Sequence, residues 1–409
     1  MKKYYFAVFI GAGAAGIFAA NRCASLSPNK DILLLEQSRA PLSKLSISGG
    51  GRCNLTNACF EPRTLARNYP RGNRELIGPF SRFQPSDVIE WFESRGVALK
   101  TEAEGRVFPV TDSSQTIIDC LLKEAERHGV SIRYNAKVKK VEPENSSGFI
   151  IRLSSQEEIY TQQIMLATGS SAGGYRIAQD LGHAIIPPVP SLFTFNIPHS
   201  PLHVLSGLSV EEAEVSLPEL NLRQQGALLI THWGFSGPAI LKLSAWGARG
   251  LHDLRYQTTC SVDWVPQTSE NDLRKLLEVK SNGPCKKSIL KDQLLEVIPR
   301  KLWKTLLMTL EIDTTQNWKT VSKKSKDRLI RRLKYDIYNI SGKGTHKQEF
   351  VTCGGIPSLE VNFKRMESKK NSGLFFGGEL LNIDGITGGF NFQAAWTTGY
   401  LAGSAMADG

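Results

Sequence analysis

The segment Gly11-Ala12-Gly13-Ala14-Ala15-Gly16 restricts what this chain can fold into more than any other feature. Its G-x-G-x-x-G spacing follows an aromatic and aliphatic run, Tyr4–Ile10, and opens a stretch of helix formers from Ala14 to about Leu26. Pro28 and Asn29 stop that helix, and a second apolar strand, Asp31–Glu36, ends in an acid twenty residues after Gly16. Strand, tight turn, helix and strand in this order form the context in which the spacing binds a dinucleotide. Gly11 permits the sharp turn, Gly13 lets the backbone approach a pyrophosphate, and Gly16 lets helix and strand pack closely. Ala14 and Ala15 then begin a helix whose N-terminus faces the phosphates. Glu36, with Gln37 beside it, is placed to accept hydrogen bonds from an adenosine ribose.

The remaining pattern predicts an α/β chain made of discontinuous parts. Helices are expected over Pro85–Arg95 and Ser113–His128. Strands are expected over Ser131–Val141, which contains Val138, over Phe149–Leu153 after a turn at Glu144–Ser147, and over Gln163–Thr168. Pro187, Pro188 and Pro190 mark a domain crossing. Phe193–Pro266 reads as short strand-like pieces, and the stretch from Asn271 to about Lys334 as helical and basic. After Phe350 come a buried strand, Leu374–Gly377, a glycine turn, Asp384–Gly389, and a closing helix, Asn391–Met406. The expected domains are 1–190 with 345–409 for the nucleotide, 191–269 for an inserted β-barrel-like domain, and 270–344 for a basic helical lobe.

With 409 residues the chain buries a large core without staples. Its formal net charge of +11 is uneven. Asn271–Phe350 holds 19 basic and nine acidic side chains. That predicts a solvated basic face or, alternatively, a surface for an anionic partner. Lys323-Lys324-Ser325-Lys326 has no interleaved aromatics and reads as one helix face, so specific nucleic-acid binding is not expected of it. The seven cysteines, Cys23, Cys53, Cys59, Cys120, Cys260, Cys285 and Cys353, include no C-x-x-C pair. They predict a reducing, cytoplasmic setting rather than zinc or a disulfide framework. Lys2 and Lys3 before Tyr4–Ala20 mimic a secretory signal. The glycine turn inside that stretch argues against one, and no later run is long enough to span a membrane. His183, His199, His203, His252 and His346 show no metal-ligand spacing.

The glycine turn does not choose between NAD and FAD. A C-terminal glycine element favours the latter. Gly377-Gly378-Glu379 follows a strand, and Gly388-Gly389-Phe390-Asn391 opens the last helix. An N-terminal turn reaching back to such an element suits the longer cofactor, FAD. A helix start near the flavin pyrimidine edge would stabilise the reduced ring. A single G-x-G-x-x-G argues against a second dinucleotide domain.

With these motifs in hand, the sequence resembles the BaiN/YhiN-type FAD-dependent oxidoreductases, the aminoacetone oxidase-like flavoprotein family. The matching segments are Gly11–Gly16 with Glu36, Lys44 with Ser48-Gly49-Gly50-Gly51-Arg52-Cys53-Asn54-Leu55-Thr56-Asn57, and Gly105–Pro109. They continue with Ala167-Thr168-Gly169, Thr231–Ala239, and Thr352 through Ala395. The resemblance implies a Rossmann-like FAD domain of the glutathione-reductase class with an inserted β-barrel and a helical lobe. It implies an oxidoreductase reduced by NAD(P)H and acting on a small organic substrate.

Several residues carry two readings. Arg52 either neutralises the pyrophosphate or makes a local salt bridge, and the ligand role is favoured. Cys53 is expected to pack. Lys44 is read either as a phosphate contact or as an exposed lysine. Glu379 and Asp384 are candidates for the ribitol hydroxyls, and His232 for an acid or base. A rival class is an RNA-directed flavoprotein of the tRNA-modifying kind; a third is a flavin-binding protein without turnover.

Overall fold

The computed structural model describes residues 4–144, 148–283, 287–344 and 351–409. Lys2, Lys3, Cys285, His346 and most of the turn expected at Glu144–Ser147 lie outside them. The chain forms two compact units, Met1–Ser191 with Lys347–Gly409, and Leu192–His346.

The first unit is built on a nine-stranded sheet. Leu374–Phe376, Glu158–Leu166, Tyr4–Ile10, Ile32–Leu35 and Ser131–Arg133 lie side by side in that order, all parallel. Ile32–Leu35 and Leu374–Phe376 are buried throughout because helices cover the sheet. The helix Ala14–Leu26 packs on the closing helix Phe390–Ala407 at backbone contact. A Cβ at Gly399 would sit 2.6 Å from the Ala15 carbonyl oxygen, and one at Gly403 2.3 Å from that of Ala19. Phe18 joins these helices to Phe83, Trp91 and the fully buried Trp396.

Two boundaries differ from expectation for local reasons. The strand expected over Ser131–Val141 breaks into Ser131–Arg133 and Val138–Pro143, because Asn135 takes a left-handed φ of 52°. The strand ending at Leu166 begins earlier, at Glu158, and buries all its residues but Glu158 and Gln162.

The second unit is a seven-stranded antiparallel sheet. Its order runs Asp336–Ile340, Thr258–Asp263, Ser209–Leu217, Leu222–Ile230, Gly234–Ser236, Phe195–Asn196, Gly342–Lys343. Ile340 and Gly342 are two residues apart yet belong to opposite ends of this order, so the sheet curls into a barrel. The helix Pro238–Trp246 follows Gly237 where only strand pieces were expected. The basic stretch supplies three helices, Glu270–Asn282, Arg300–Thr309 and Lys323–Lys334.

Asp336 is fully buried and accepts hydrogen bonds from the Trp264 indole, 2.9 Å away, and the Tyr338 hydroxyl. Burial pushes its carboxyl up to about 6, against the pull of Arg332. The folded state therefore holds this proton more tightly than the unfolded chain does, whose aspartates titrate near ~3.9. Stability from this group is full below that value and is lost as pH rises through about 6. The loss is of order ~3 kcal/mol at most. In urea melts, the stability difference between wild type and Asp336→Asn should change in wild type's disfavour between mildly acid and neutral pH. A pH-independent difference would refute this.

Candidate cofactor site

The glycine turn sits at the carboxyl end of Tyr4–Ile10, beside the ends of Ile32–Leu35 and Glu158–Leu166. Ligands of open α/β sheets bind outside such strand ends. Gly11 donates its N–H to the Leu35 carbonyl at 2.8 Å. A Cβ at Gly16 would lie 1.9 Å from the Gly11 carbonyl oxygen, and one at Gly11 2.6 Å from that of Ala167. Both glycines are thus required by packing. Gly13 is not. Its backbone, φ −81° and ψ −176°, suits any residue, and a Cβ there meets nothing within 4 Å. No side chain caps the helix that Gly13 precedes, and its first turn holds no acid. Open space before an uncapped helix N-terminus fits an anionic group. Thr168 Oγ1, just past Ala167, is buried and has no hydrogen-bond partner among the described residues.

Glu36 is held in place by the turn itself. One carboxylate oxygen accepts the Ala12 N–H at 2.9 Å, the other the N–H and hydroxyl of Ser38 at 2.8 and 2.7 Å. Gln37 beside it is exposed, and Val138 is half-buried at the start of Val138–Pro143.

Three other signature segments meet at one ion pair. Lys44 Nζ pairs with Glu379 and also donates to the Ser170 hydroxyl at 3.3 Å. Ser170 follows Ala167-Thr168-Gly169, at the end of Glu158–Leu166, and Glu379 follows Leu374–Phe376. The second oxygen of Glu379 accepts the Thr352 N–H at 2.8 Å. Lys44 therefore binds a carboxylate here rather than standing free. Close by in the chain, Tyr175 is buried with its hydroxyl unpartnered among the described residues; burial, then the Glu379 charge, push its pKa up. Neither Tyr175 nor the Ser170 contact was expected, since nothing in the local pattern marks them.

The Ser48–Asn57 loop behaves differently from its reading. Arg52 pairs with Glu102 at 2.7 Å and Asp112 at 3.3 Å, and its guanidinium lies 4.1 Å from the centre of the Phe108 ring. Of the two readings, the local salt bridge is present at this arginine. Gly49, Gly50 and Gly51 are all left-handed, and Ser48 donates its hydroxyl to the Leu45 carbonyl. Asn54, with its amide turned to satisfy both neighbours, accepts the Gly389 N–H at 3.0 Å and donates to the Thr56 carbonyl at 3.2 Å.

The C-terminal element is also more occupied than expected. Asp384 is fully buried, and its two oxygens accept from Arg71 and, at 2.9 Å, from the Ser191 hydroxyl. It is therefore not free to bond ribitol hydroxyls. Asn391 clamps the turn by accepting from the Gly385 N–H and donating to its carbonyl, both at 2.9 Å. Gly389 precedes the closing helix at φ 93°, where a Cβ would lie 2.4 Å from the Thr56 carbonyl oxygen. Packing on Thr56 already requires that glycine. Gly388 is restricted by the Phe390 ring, and Phe390 is buried edge-on against Tyr69. Gly378, at the start of the Glu379 turn, packs against Ala15.

A family described as the HI0933-like protein Rossmann domain matches residues 5–405. The chain belongs to that family. It is the family of flavin-dependent oxidoreductases whose signatures the sequence carries. A 3-dehydro-bile acid delta(4,6)-reductase of Clostridium scindens is 28% identical over 409 residues, covering 98% of both chains. A ribosomal RNA dihydrouridine synthase of Escherichia coli is 30% identical over 408 residues, covering 96% of both. Among solved structures, a 3-ketosteroid-delta4-(5alpha)-dehydrogenase from Rhodococcus jostii shares the fold with a TM-score of 0.52 at 14% identity. That match covers 99% of this chain and 97% of the other. No helix among the described residues is long and apolar enough to cross a membrane.

In this HI0933-like chain Cys53 is fully buried, and burial pushes its thiol up to about 12. A thiol so protonated is a poor nucleophile. Cys53→Ser should leave reduction of the bound flavin within about twofold of wild type, and native Cys53 should resist alkylation until the protein is denatured. Rapid labelling of the native protein at Cys53, read by mass spectrometry, would contradict this.

Proposed function

We propose that the protein is an FAD-dependent reductase of carbon–carbon double bonds conjugated to a carbonyl, with NADH or NADPH as transient electron donor. The observation that carries the reading is Gly13, a glycine that neither conformation nor packing requires, facing open space before an uncapped helix. Gly11–Gly16 with the starts at Ala14 and Ala15 would hold the pyrophosphate. Glu36 would hold the adenosine ribose, which favours FAD over FMN. Lys44, Glu379 and Thr168 would line the segment between the phosphates and the ring. The Asn391 clamp would keep the start of the closing helix in place. Bound FAD supplies two-electron chemistry that no side chain can provide.

The substrate class rests on what two relatives' names have in common. A 3-oxo steroid with delta(4,6) unsaturation and the uracil ring each contain an alkene polarised by a carbonyl. Reduction adds a hydride to the carbon β to that carbonyl and a proton to the α carbon. The basic helices of the second unit favour the uracil of RNA as the substrate. Arg300, Lys301, Lys304, Lys323, Lys324 and Arg328 are all exposed there.

The test is direct. The purified protein should be yellow, release FAD on denaturation, and be bleached anaerobically by NADH or NADPH. The reduced protein should then be reoxidised by a conjugated enone or by uridine-containing ribosomal RNA, with dihydrouridine detected by mass spectrometry. Bleaching by dithionite but by neither nucleotide would remove the proposed donor. Failure of both acceptors would leave a flavin protein without this turnover.

A further inference from the structure

We propose that the outer face of the helix Lys323–Lys334, together with the cleft beside it, docks a single-stranded segment of RNA. The proposal rests on the RNA reading of the function and names the surface that would serve it.

The helix buries Leu329, Ile330 and Leu333. On the opposite face Lys324, Arg328 and Arg331 are exposed at spacings of four and three, so they form one line along the axis. Tyr335 follows Arg331 by four residues, caps the helix, and is 56% exposed. Three neighbouring cations are paired within the unit. Arg332 pairs with Asp336 at 2.9 Å, Lys334 with Asp263 at 2.6 Å, and Arg274 with both Glu270 and Asp327. No ion pair among the described residues involves Lys324, Arg328 or Arg331. Three charges that the fold does not use are therefore left in a row.

A cleft of about 620 Å³ adjoins the end of that row. Thr259, Ser261, Arg274, Arg331, Tyr335 and Ile337 line it. Ile337 is 60% exposed, an unusual position for isoleucine on a strand. Glu270 and Asp327 also reach the cleft and share Arg274, and with Arg331 the lining carries two acids and two bases. The wall thus offers a flat ring, an aliphatic side chain and two hydroxyls in a nearly neutral setting, next to a positive line. Phosphates suit the line, and an unstacked base suits Tyr335. A duplex keeps its bases stacked and cannot present one to the ring. An acidic peptide or an anionic membrane would use the charges but has no need of the tyrosine. The sequence alone hid this arrangement, because the tyrosine lies past the charge run and meets it only through the helix.

The test uses the full-length protein loaded with FAD and a fluorescein-labelled single-stranded oligouridine. Lys324→Glu/Arg328→Glu/Arg331→Glu should lower its affinity on the order of a hundredfold and flatten the log–log salt dependence by about 2, as loss of three phosphate contacts implies. Tyr335→Ala should cost about tenfold without changing the salt slope. FAD content and melting temperature report whether the variants are folded. Wild-type binding that all four substitutions leave unchanged would overturn this surface while the RNA reading stands. No RNA binding by wild type, with turnover of a conjugated enone, would overturn both. Equal binding of phosphatidylglycerol vesicles with the tyrosine irrelevant would replace RNA by a membrane.

Discussion

Gly13→Val should strip the protein of FAD while leaving it folded. The backbone at Gly13 is already extended, and a Cβ added there meets nothing within 4 Å. Its only consequence is to fill the space before the helix N-terminus. A pyrophosphate that loses those N–H groups should bind at least about a hundredfold more weakly. The stability of the apoprotein should change by no more than about 0.5 kcal/mol. Gly16→Ala is the contrasting variant. Its Cβ would lie 1.9 Å from a carbonyl oxygen, so the fold itself should suffer. Visible absorbance after reconstitution, read beside urea melts of the apoproteins, separates the two. A Gly13→Val protein that stays yellow would show that the pyrophosphate lies elsewhere.

The second large effect concerns Arg71. Its guanidinium and the Ser191 hydroxyl are the hydrogen-bond donors seen on the buried Asp384 carboxylate. Burial pushes that carboxyl up, and Arg71 pulls it back. Arg71→Met would leave a buried charge with one neutral donor, at a cost of about 3–5 kcal/mol. The Asp384 carboxyl would then rise further above its unfolded value. Stability of the variant should therefore recover as pH falls, because the folded state gains the proton first. Arg71→Met combined with Asp384→Asn should restore most of the loss, since no charge is left stranded. Denaturant melts at mildly acid and neutral pH measure all three. If the single variant is as stable as wild type at neutral pH, the ion pair does not organise this turn.

How much of this could be read in the chain depends on how far each interaction reaches. The β-α-β unit was legible because its signals are local. Glycine spacing, a continuous apolar strand and a terminal acid each act within about one turn or one strand. The C-terminal helix was legible for the same reason. Partners were not. Arg71 and Asp384 are 313 residues apart, and nothing near either announces the other. For Arg52 the sequence leaves open a ligand role and a local salt bridge, and only the fold brings Glu102 and Asp112 beside it. Gly389 opens the closing helix, and only the folded chain places the Thr56 carbonyl where its Cβ would lie.

By itself, then, the sequence determined the nucleotide-binding half of the fold, the family, and the uneven charge. These follow from backbone conformation and periodicity, which a short window of residues expresses. Tertiary structure alone decided which charges are neutralised and which remain free, that the second unit's strands close on themselves, and that Tyr335 completes a cationic line. Those are outcomes of long-range pairing. Burial and Coulomb energy depend on distances in space, and a chain of this length does not reveal them until it has folded.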